Sequence, residues 1–436
     1  GAADEVEDLR ARALTWLRRA ADLAIGRFEI EDGLALLQRA LELETDPELR
    51  APLWREVGRA SILKYDGELF WTAMQNSLEG TTDRAALAET YAQLAFQTSL
   101  RGGMWKRRPD RARLNDWIER ALELAEPDAP ARARALITRA YEDPDGSEGA
   151  LREATKLAEQ LGDLELLSFA WDARKDQAFA RGEYAEGLSW AMRRFELVPL
   201  LNDPDHVSLI YMYTLDPLIV NLRFDQARKA AEEYDAVTQR LSAHHRVHAA
   251  SGFVGVEVAS GHWEAVRDLT AWAESAVAAN IATPCVLGVS MLLACALAQV
   301  HLGDLPEARR LEQAAADLGM EGYTAITAAP PIDIAMARGD LAEVEELLQT
   351  WRPDGLASVD DLITWLNALM ALGRRAEIEA EAPALVKPKT YLEPFALRAL
   401  GFARNDDGLI EQAIQRFEAM GLDWHATQTK KLLTPA

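Results

Sequence analysis

The sequence predicts an all-α protein, a right-handed α-α superhelix (solenoid) of about eleven helical hairpins. The first observation is a glycine-centred turn that recurs at intervals of about 38 residues along the chain. The second is the amphipathic, alanine-rich run that follows each turn, while no alternating strand pattern of useful length occurs. Because one helical hairpin is too small to bury its own apolar stripe, adjacent hairpins must stack on one another.

The recurring turn is seen clearly in GDLPEARRLEQAAADLG, residues 303–319. Glycine ends the first helix because it adopts the left-handed conformation without steric cost. The acid that follows, Asp304 here, suits the N-terminus of the second helix, in which Ala308, Leu311 and Ala315 form one apolar stripe. The turns align on Gly26, Gly67, Gly103, Gly146, Gly182, Leu222, Gly261, Gly303, Gly339, Gly373 and Gly408. Since Leu222 replaces the glycine, the sequence predicts that its turn closes differently.

Composition limits the partners of the chain. It has 436 residues and a formal net charge of −23, which repels phosphate backbones and anionic lipid and predicts neither nucleic acid nor membrane as a direct partner. The longest apolar run, residues 284–300, is too short to span a bilayer. The first residues are charged and amphipathic, unlike a signal peptide. The two cysteines are ten residues apart on one predicted helix, too far for a disulfide, so they stay reduced. We therefore expect a cytoplasmic protein.

Two stretches resemble a known repeat family. Gly182-Glu183-Tyr184-Ala185-Glu186-Gly187 resembles a tetratricopeptide repeat, as does the stretch that begins at Gly303. The closing residues, RFEAMGLDWHA at 416–426, are similar to the end of the repeat region in large bacterial signal-transduction ATPases. The resemblance implies a single tetratricopeptide-like domain over residues 3–434, the C-terminal part of a longer regulator. In that family the repeats follow an ATP-binding module, with a nucleotide-cyclase or a LuxR-type DNA-binding domain attached and roles in transcription regulation.

Motifs that carry chemistry are absent from the sequence. It contains no phosphate-binding G-x-x-x-x-G-K-[ST] loop, no G-x-S-x-G and no G-x-G-x-x-G. His244 and His248 are four residues apart on a helix, as two metal ligands can be. However, the zincin pattern lacks its glutamate, and no third ligand is recognisable. The sequence therefore predicts a solvated or groove-facing helix start, and no metal is expected. Most of the twelve tryptophans, Trp263 among them, fall at packing positions. We therefore expect neither an enzyme nor a cofactor.

The first helix of each hairpin should line a concave surface. Counting back from the turn places polar residues at inward positions of otherwise apolar helices, notably Asp216, which is followed by the helix-breaking Pro217. These residues either bind a ligand or face a wet groove without a special role. The inward positions are Gln93, Gln97, Asp172, Asp176, Met212, Asp216, Ser251, Gly255, Leu293, Leu297, Ala329, Asp333, Ile363 and Asn367.

The predicted ligand site is centred on the inner helices of the fifth to seventh hairpins. Its residues are Asp172, Asp176, Tyr211, Met212, Asp216, His248 and Ser251. The acids give the groove a negative field, which favours a cationic or hydroxyl-rich ligand, or a basic peptide, over a phosphorylated one.

Three functions remain open from the sequence. The first is a recognition or sensor module of a signalling regulator that binds a small effector, a peptide or a protein on its concave face. The second is an assembly scaffold without a small ligand, and the third, which the sequence favours least, is an enzyme, because no converging base and nucleophile can be named. The shape of the binding surface distinguishes the first two functions: a sensor of a small effector needs a closed, partly apolar pocket, whereas a scaffold needs a long open strip.

Overall fold

The computed structural model describes residues 2–105, 107–144, 146–320, 327–353 and 357–433. Within these ranges the chain forms 23 α-helices, two short 3-10 helices and no β-strand. The all-α class predicted from the sequence is therefore confirmed.

Twenty-two of these helices form eleven consecutive hairpins, and a last short helix follows them. The hairpins are α1/α2 (Ala2–Gly26, Ile30–Leu43), α3/α4 (Pro47–Lys64, Gly67–Glu79), α5/α6 (Arg84–Leu100, Arg111–Leu124), α7/α8 (Pro130–Glu142, Glu148–Leu161), α9/α10 (Leu164–Ala180, Tyr184–Phe195), α11/α12 (Pro204–Val220, Phe224–Thr238), α13/α14 (Ala243–Ser260, Trp263–Ala279), α15/α16 (Val286–Leu302, Leu305–Ala316), α17/α18 (Ala329–Arg338, Leu341–Thr350), α19/α20 (Val359–Ala371, Arg375–Leu385) and α21/α22 (Leu392–Arg404, Asp407–Ala419), followed by α23 (Asp423–Lys430). The 3-10 helices are Gly102–Met104 and Val198–Leu200.

The chain divides into two compact units. The first unit comprises Gly1–Gln177, Pro199–His206 and Gln239–His244. The second unit comprises Ala178–Val198, Val207–Thr238 and His245–Ala436. In both units, successive hairpins contact each other through their first helices, as α5 contacts α7 and as α15, α17, α19 and α21 contact one another in order. The stacking of hairpins is therefore present in each unit.

Five of the ten predicted turn glycines have the expected left-handed backbone. Gly182, Gly261, Gly303, Gly339 and Gly373 all have positive φ, from 68° to 88°. The Leu222 turn closes in the same way, with φ of 63°, so the prediction that it closes differently is wrong. Its amide and the next one donate to Ile219 and Leu218, the same pair of bonds that Gly303 and Asp304 make to Val300 and Gln299. These helix-capping bonds hold a leucine in a conformation that it adopts at a cost.

Two other turns lie a few residues before the predicted glycine. Tyr65 and Asn405 have the left-handed backbone, while Gly67 begins α4 and Gly408 lies within α22. The aspartate before each of these helices caps its N-terminus through the side chain and so sets where the helix begins. Gly67 instead permits a close approach, because a Cβ atom there would lie 2.7 Å from the carbonyl oxygen of Met104.

The apolar stripes form the interior as predicted. Leu311 is fully buried in a cluster that also contains Ala308, Ala315 and Trp263. Ile410, Ala413 and Phe417 are buried on the corresponding face of α22. Among the described residues, no helix combines the length and hydropathy that crossing a bilayer requires.

Candidate functional site

A cavity of about 600 Å³ lies in the second unit and is the candidate site. Its wall is made mainly by the first helices of consecutive hairpins, α13, α15, α17, α19 and α21, together with α23. Five of the inward positions predicted from the sequence line it: Leu297, Ala329, Asp333, Ile363 and Asn367. The turn register therefore identified the cavity-facing side of α17 and α19, whereas the predicted inward positions Ser251, Gly255 and Leu293 do not line the cavity.

The end of the chain closes one side of this cavity. The Tyr391 hydroxyl donates a hydrogen bond of 2.8 Å to the Ala259 carbonyl, which lies 132 residues earlier in the sequence. The backbone amide of Tyr391 donates to the Val220 carbonyl. His425 Nε2 lies 3.2 Å from the same Ala259 oxygen. Because a carbonyl oxygen can only accept a hydrogen bond, the Nε2 atom must carry the imidazole proton. Gly261 allows Trp424 to approach, because a Cβ atom there would lie 3.0 Å from the Trp424 Cβ. These contacts bring α21 and α23 against α11 and α13.

Two carboxyl groups form an acidic side of the cavity. Asp333 accepts a hydrogen bond of 2.8 Å from the Thr364 hydroxyl, and burial raises the pKa of Asp333 to about 7. Asp360 lines the same cavity, and its side chain is exposed to solvent. Desolvation by the protein around its carboxyl group, and then the negative charges of Asp216 and Asp361, raise the pKa of Asp360 to about 7. Near neutral pH each of these two groups is therefore partly protonated and readily ionised by a cation.

Arg398 is the basic group of the cavity. Its guanidinium donates to Asn367 Oδ1 at 2.6 Å and contacts Thr429 Oγ1 at 3.4 Å, and it lies over the rings of Phe395 and Phe417. The residue is only 8% exposed, and its Nε is buried without a hydrogen-bond partner. Burial lowers the pKa of Arg398 to about 10, so the group still carries its charge at neutral pH. Both hydrogen-bonding partners are neutral, and the guanidinium forms no ion pair with a carboxylate of the described residues.

An aromatic wall borders the cavity. We use this name for Trp263, His301 and Trp424, whose ring centroids lie 4.3 to 5.0 Å apart. Burial lowers the pKa of His301 to about 4 and that of His425, which contacts Trp424, to about 3, so both imidazoles are neutral at physiological pH. The indole Nε1 of Trp263 is buried without a hydrogen-bond partner. The wall therefore carries no charge at physiological pH and presents aromatic ring faces and edges to the cavity.

The predicted site residues of the first unit form a charge cluster. Asp172 is buried, accepts a 3.0 Å hydrogen bond from the Tyr141 hydroxyl and pairs with Lys175 at 3.1 Å. Asp176 pairs with the same lysine at 2.9 Å. Both carboxylates are thus held by a cation of their own helix.

The predicted site residues of the second unit lie outside the lining of the cavity. Tyr211 is buried, and its hydroxyl donates to Glu233 at 3.1 Å; burial raises the pKa of Tyr211 to about 12. His248 Nε2 lies 3.2 Å from the thiol sulfur of Cys285, while Met212 and Ser251 are half-buried. Asp216 is exposed, and its charge raises the pKa of Asp360. Asp216 is therefore electrostatically linked to the cavity.

Sequence reasoning missed Arg398, Asp360 and the aromatic wall. One signal for Arg398 was present, since it lies in the apolar stretch PFALRALGFA as Asp216 lies in its own apolar helix. Trp263 was predicted as core, and it is both core and cavity lining.

The first unit contains a second cavity of about 750 Å³. Its buried arginine, Arg101, forms a two-pronged ion pair with Asp205 and donates to the Tyr65 hydroxyl at 2.6 Å. The predicted inward positions Gln93 and Gln97 also line it. Because this arginine is already compensated within the protein, the cavity of the second unit is the stronger candidate.

The hairpins and the cavity define the chain as an all-α helical-repeat protein with a ligand-sized concavity on its inner helices. Solved structures to which it is similar include yeast Tom70 (12% identity, TM-score 0.37, covering 97% of this chain and 96% of that chain) and the P58(IPK) TPR domain (12%, 0.28, 96% and 98%). A third is the APC/C hetero-tetramer Cut9-Hcn1 (14%, 0.29, 97% and 96%). At these scores the likenesses indicate no ligand or partner. No protein-family model and no curated protein matches the chain.

Proposed function

We propose that the chain is a non-catalytic recognition module that binds a small effector or a short peptide in the cavity of the second unit. One observation carries the proposal: a cavity of about 600 Å³ combines an aromatic wall with a buried arginine, Arg398, and two carboxyl groups, Asp333 and Asp360. Ligand sites in proteins are typically about 300 to 1,000 Å³, largely apolar, and lined by a small number of polar groups that orient the ligand.

The chemistry of the lining favours binding over catalysis. Ser358 caps α19 and exchanges hydrogen bonds with Asp361, while the Ser290 hydroxyl is buried without a partner. Neither serine is hydrogen-bonded to an imidazole, so neither is activated as a nucleophile. The low pKa values of His301 and His425 keep these groups from accepting protons near pH 7.

A role in a bacterial signalling or transcription regulator rests on the resemblance of residues 416–426 to the end of the repeat region in signal-transduction ATPases. In such a protein, ligand binding to the concave face would be reported to an attached effector domain in the cytoplasm. A ligand-dependent change in α21 and α23 would be the signal, since these helices close one side of the cavity.

The alternative function is a protein-assembly scaffold without a small ligand. It is favoured by α1, which exposes Val6, Leu9, Trp16 and Leu23 on one helical face. Exposed apolar residues in a row are a feature of protein-binding surfaces.

A ligand screen with two matched variants tests the proposal. Metabolites and short peptides are added to the protein and the midpoint of thermal unfolding is measured, because binding to the folded state alone raises it. Ala294→Trp fills the cavity and should abolish the shift, whereas Ala316→Trp, on the exposed face of α16, should preserve it. Equal shifts in both variants would place the ligand elsewhere, and binding of proteins but of no small compound would favour the scaffold.

A further inference from the structure

Opposite charges line one cavity of the second unit without meeting. Arg398 lies on α21, and Asp333 and Asp360 lie on α17 and α19. The arginine forms no ion pair with either carboxyl group, so each N···O separation exceeds hydrogen-bonding range. A positive group and two acidic groups therefore line one cavity without pairing with each other.

Neither charge is compensated by another described residue. The partners of Arg398 are the Asn367 amide and the Thr429 hydroxyl, which are neutral. Asp333 has the Thr364 hydroxyl as its partner, and the charges that act on Asp333 and Asp360 are those of other carboxylates. Arg398 is only 8% exposed, and because a buried charge without a counter-ion is costly, its compensation by a ligand is correspondingly favourable. This differs from the cavity of the first unit, where Arg101 is paired with Asp205.

We propose that the cavity binds a zwitterionic small molecule of the amino-acid type, with its carboxylate on Arg398, its ammonium at Asp333 and Asp360, and its apolar body against the aromatic wall. This proposal rests on the proposed function and names the ligand class of the same site. Guanidinium–carboxylate and ammonium–carboxylate contacts are the strong, charge-assisted hydrogen bonds of proteins. Ring faces of tryptophan also attract an ammonium group.

Ligands with a single charge fit the cavity less well. A plain anion would neutralise Arg398 but would face the acidic pair, whose charges repel it. A plain amine would satisfy Asp333 and Asp360 but would leave the guanidinium buried and uncompensated, next to a new positive charge. A phosphate places more negative charge near the acids than a carboxylate does. A zwitterion is the simplest ligand that matches both sides.

Isothermal titration calorimetry with four related probes tests this inference. The probes are phenylalanine, phenethylamine without the carboxylate, 3-phenylpropionate without the ammonium, and phenylalanine amide with a neutral group in place of the carboxylate. We expect phenylalanine to bind most tightly and each single deletion to weaken binding by roughly 10- to 100-fold, as for the loss of a hydrogen bond to a charged group.

Matched variants assign each end of the ligand. Arg398→Met should remove the preference for phenylalanine over phenethylamine, whereas Arg404→Met, an exposed arginine on the same helix, should preserve it. Should Arg398→Met fail to fold, Asp333→Asn offers an independent readout, because it should reduce the preference for phenylalanine over 3-phenylpropionate. Tighter binding of the amine or the acid than of phenylalanine, or no effect of either variant, overturns the inference.

The outcomes separate this inference from the proposed function. If none of the common amino acids binds at millimolar concentration, the inference is overturned, while a hit from the ligand screen that Ala294→Trp abolishes still supports the proposed function. If no compound of any class binds in the cavity, both fail.

Discussion

Asp333 is the residue whose environment most clearly sets a pH dependence. Burial raises its pKa from 3.8 to about 7, so between these values the folded chain keeps a proton that the unfolded chain has released. The free energy of unfolding therefore decreases as pH rises through this window, and the loss is complete above about pH 7.

Asp333→Asn should remove this loss while preserving the acceptor for Thr364. We expect the variant and the parent to be similarly stable near pH 4 and the variant to be more stable at about pH 8, by up to about 4 kcal/mol. Urea unfolding at several pH values measures the difference. The same comparison with Asp340→Asn, an exposed aspartate that caps α18, should show no such rise with pH. A gain that does not depend on pH would contradict the assignment.

Asp216 acts on the cavity through its charge. Because its carboxylate is one of the charges that raise the pKa of Asp360, Asp216→Asn should lower that pKa. Carboxyl NMR of aspartate-labelled protein measures the pKa of Asp360. An unchanged pKa in the variant would show that the charge of Asp216 does not act on Asp360. The role in ligand binding that the sequence predicts for Asp216 remains a prediction.

At the scale of single elements, the Leu222 turn tests how helix capping overrides residue preference. Leucine at φ of 63° is strained, and glycine is not. Leu222→Gly should therefore be more stable than Leu222→Ala by about 1 kcal/mol, since the two variants lose the same leucine contacts but only alanine keeps a Cβ. Denaturant unfolding of both variants measures this difference. Equal stability would mean that the turn relaxes away from the left-handed conformation.

The elements also show what the repeat pattern predicts well. Every predicted turn lies between two consecutive helices or within about two residues of their ends, because the apolar stripe and the turn residues are local properties of the sequence. The turns at Tyr65 and Asn405 were placed late because aspartate caps, rather than the following glycines, set the start of α4 and α22.

Leu311 tests whether damage spreads beyond neighbouring hairpins. It is fully buried between hairpins of the second unit, so Leu311→Ala should cost about 2 to 5 kcal/mol. In a helical-repeat array each hairpin interacts with its neighbours, so hydrogen exchange should show lost protection in α13 to α17 and unchanged protection in α1 to α4. Uniform loss along the chain would contradict this behaviour.

At the scale of the whole molecule, the single domain predicted over residues 3–434 can be tested with a matched pair of variants. Leu37 in the first unit and Leu311 in the second are both fully buried leucines. If the chain unfolds as one domain, Leu37→Ala and Leu311→Ala should each shift the same calorimetric transition. Two transitions, each moved by only one of the variants, would show that the units unfold separately.

By itself the sequence determined the helical class, the eleven hairpins and many of the residues that face inward, Asp333 and Asn367 among them. These follow from periodicities of three to four residues and from the recurrence of the turn, which are written in local stretches of the chain. Only the tertiary structure decided which inward residues share a cavity. The contact of Tyr391 with Ala259 joins residues 132 positions apart, and no local pattern encodes it. The packing of the second unit buries Arg398 and brings the charge of Asp216 to act on Asp360, so these two pKa shifts depend on residues far away in the sequence.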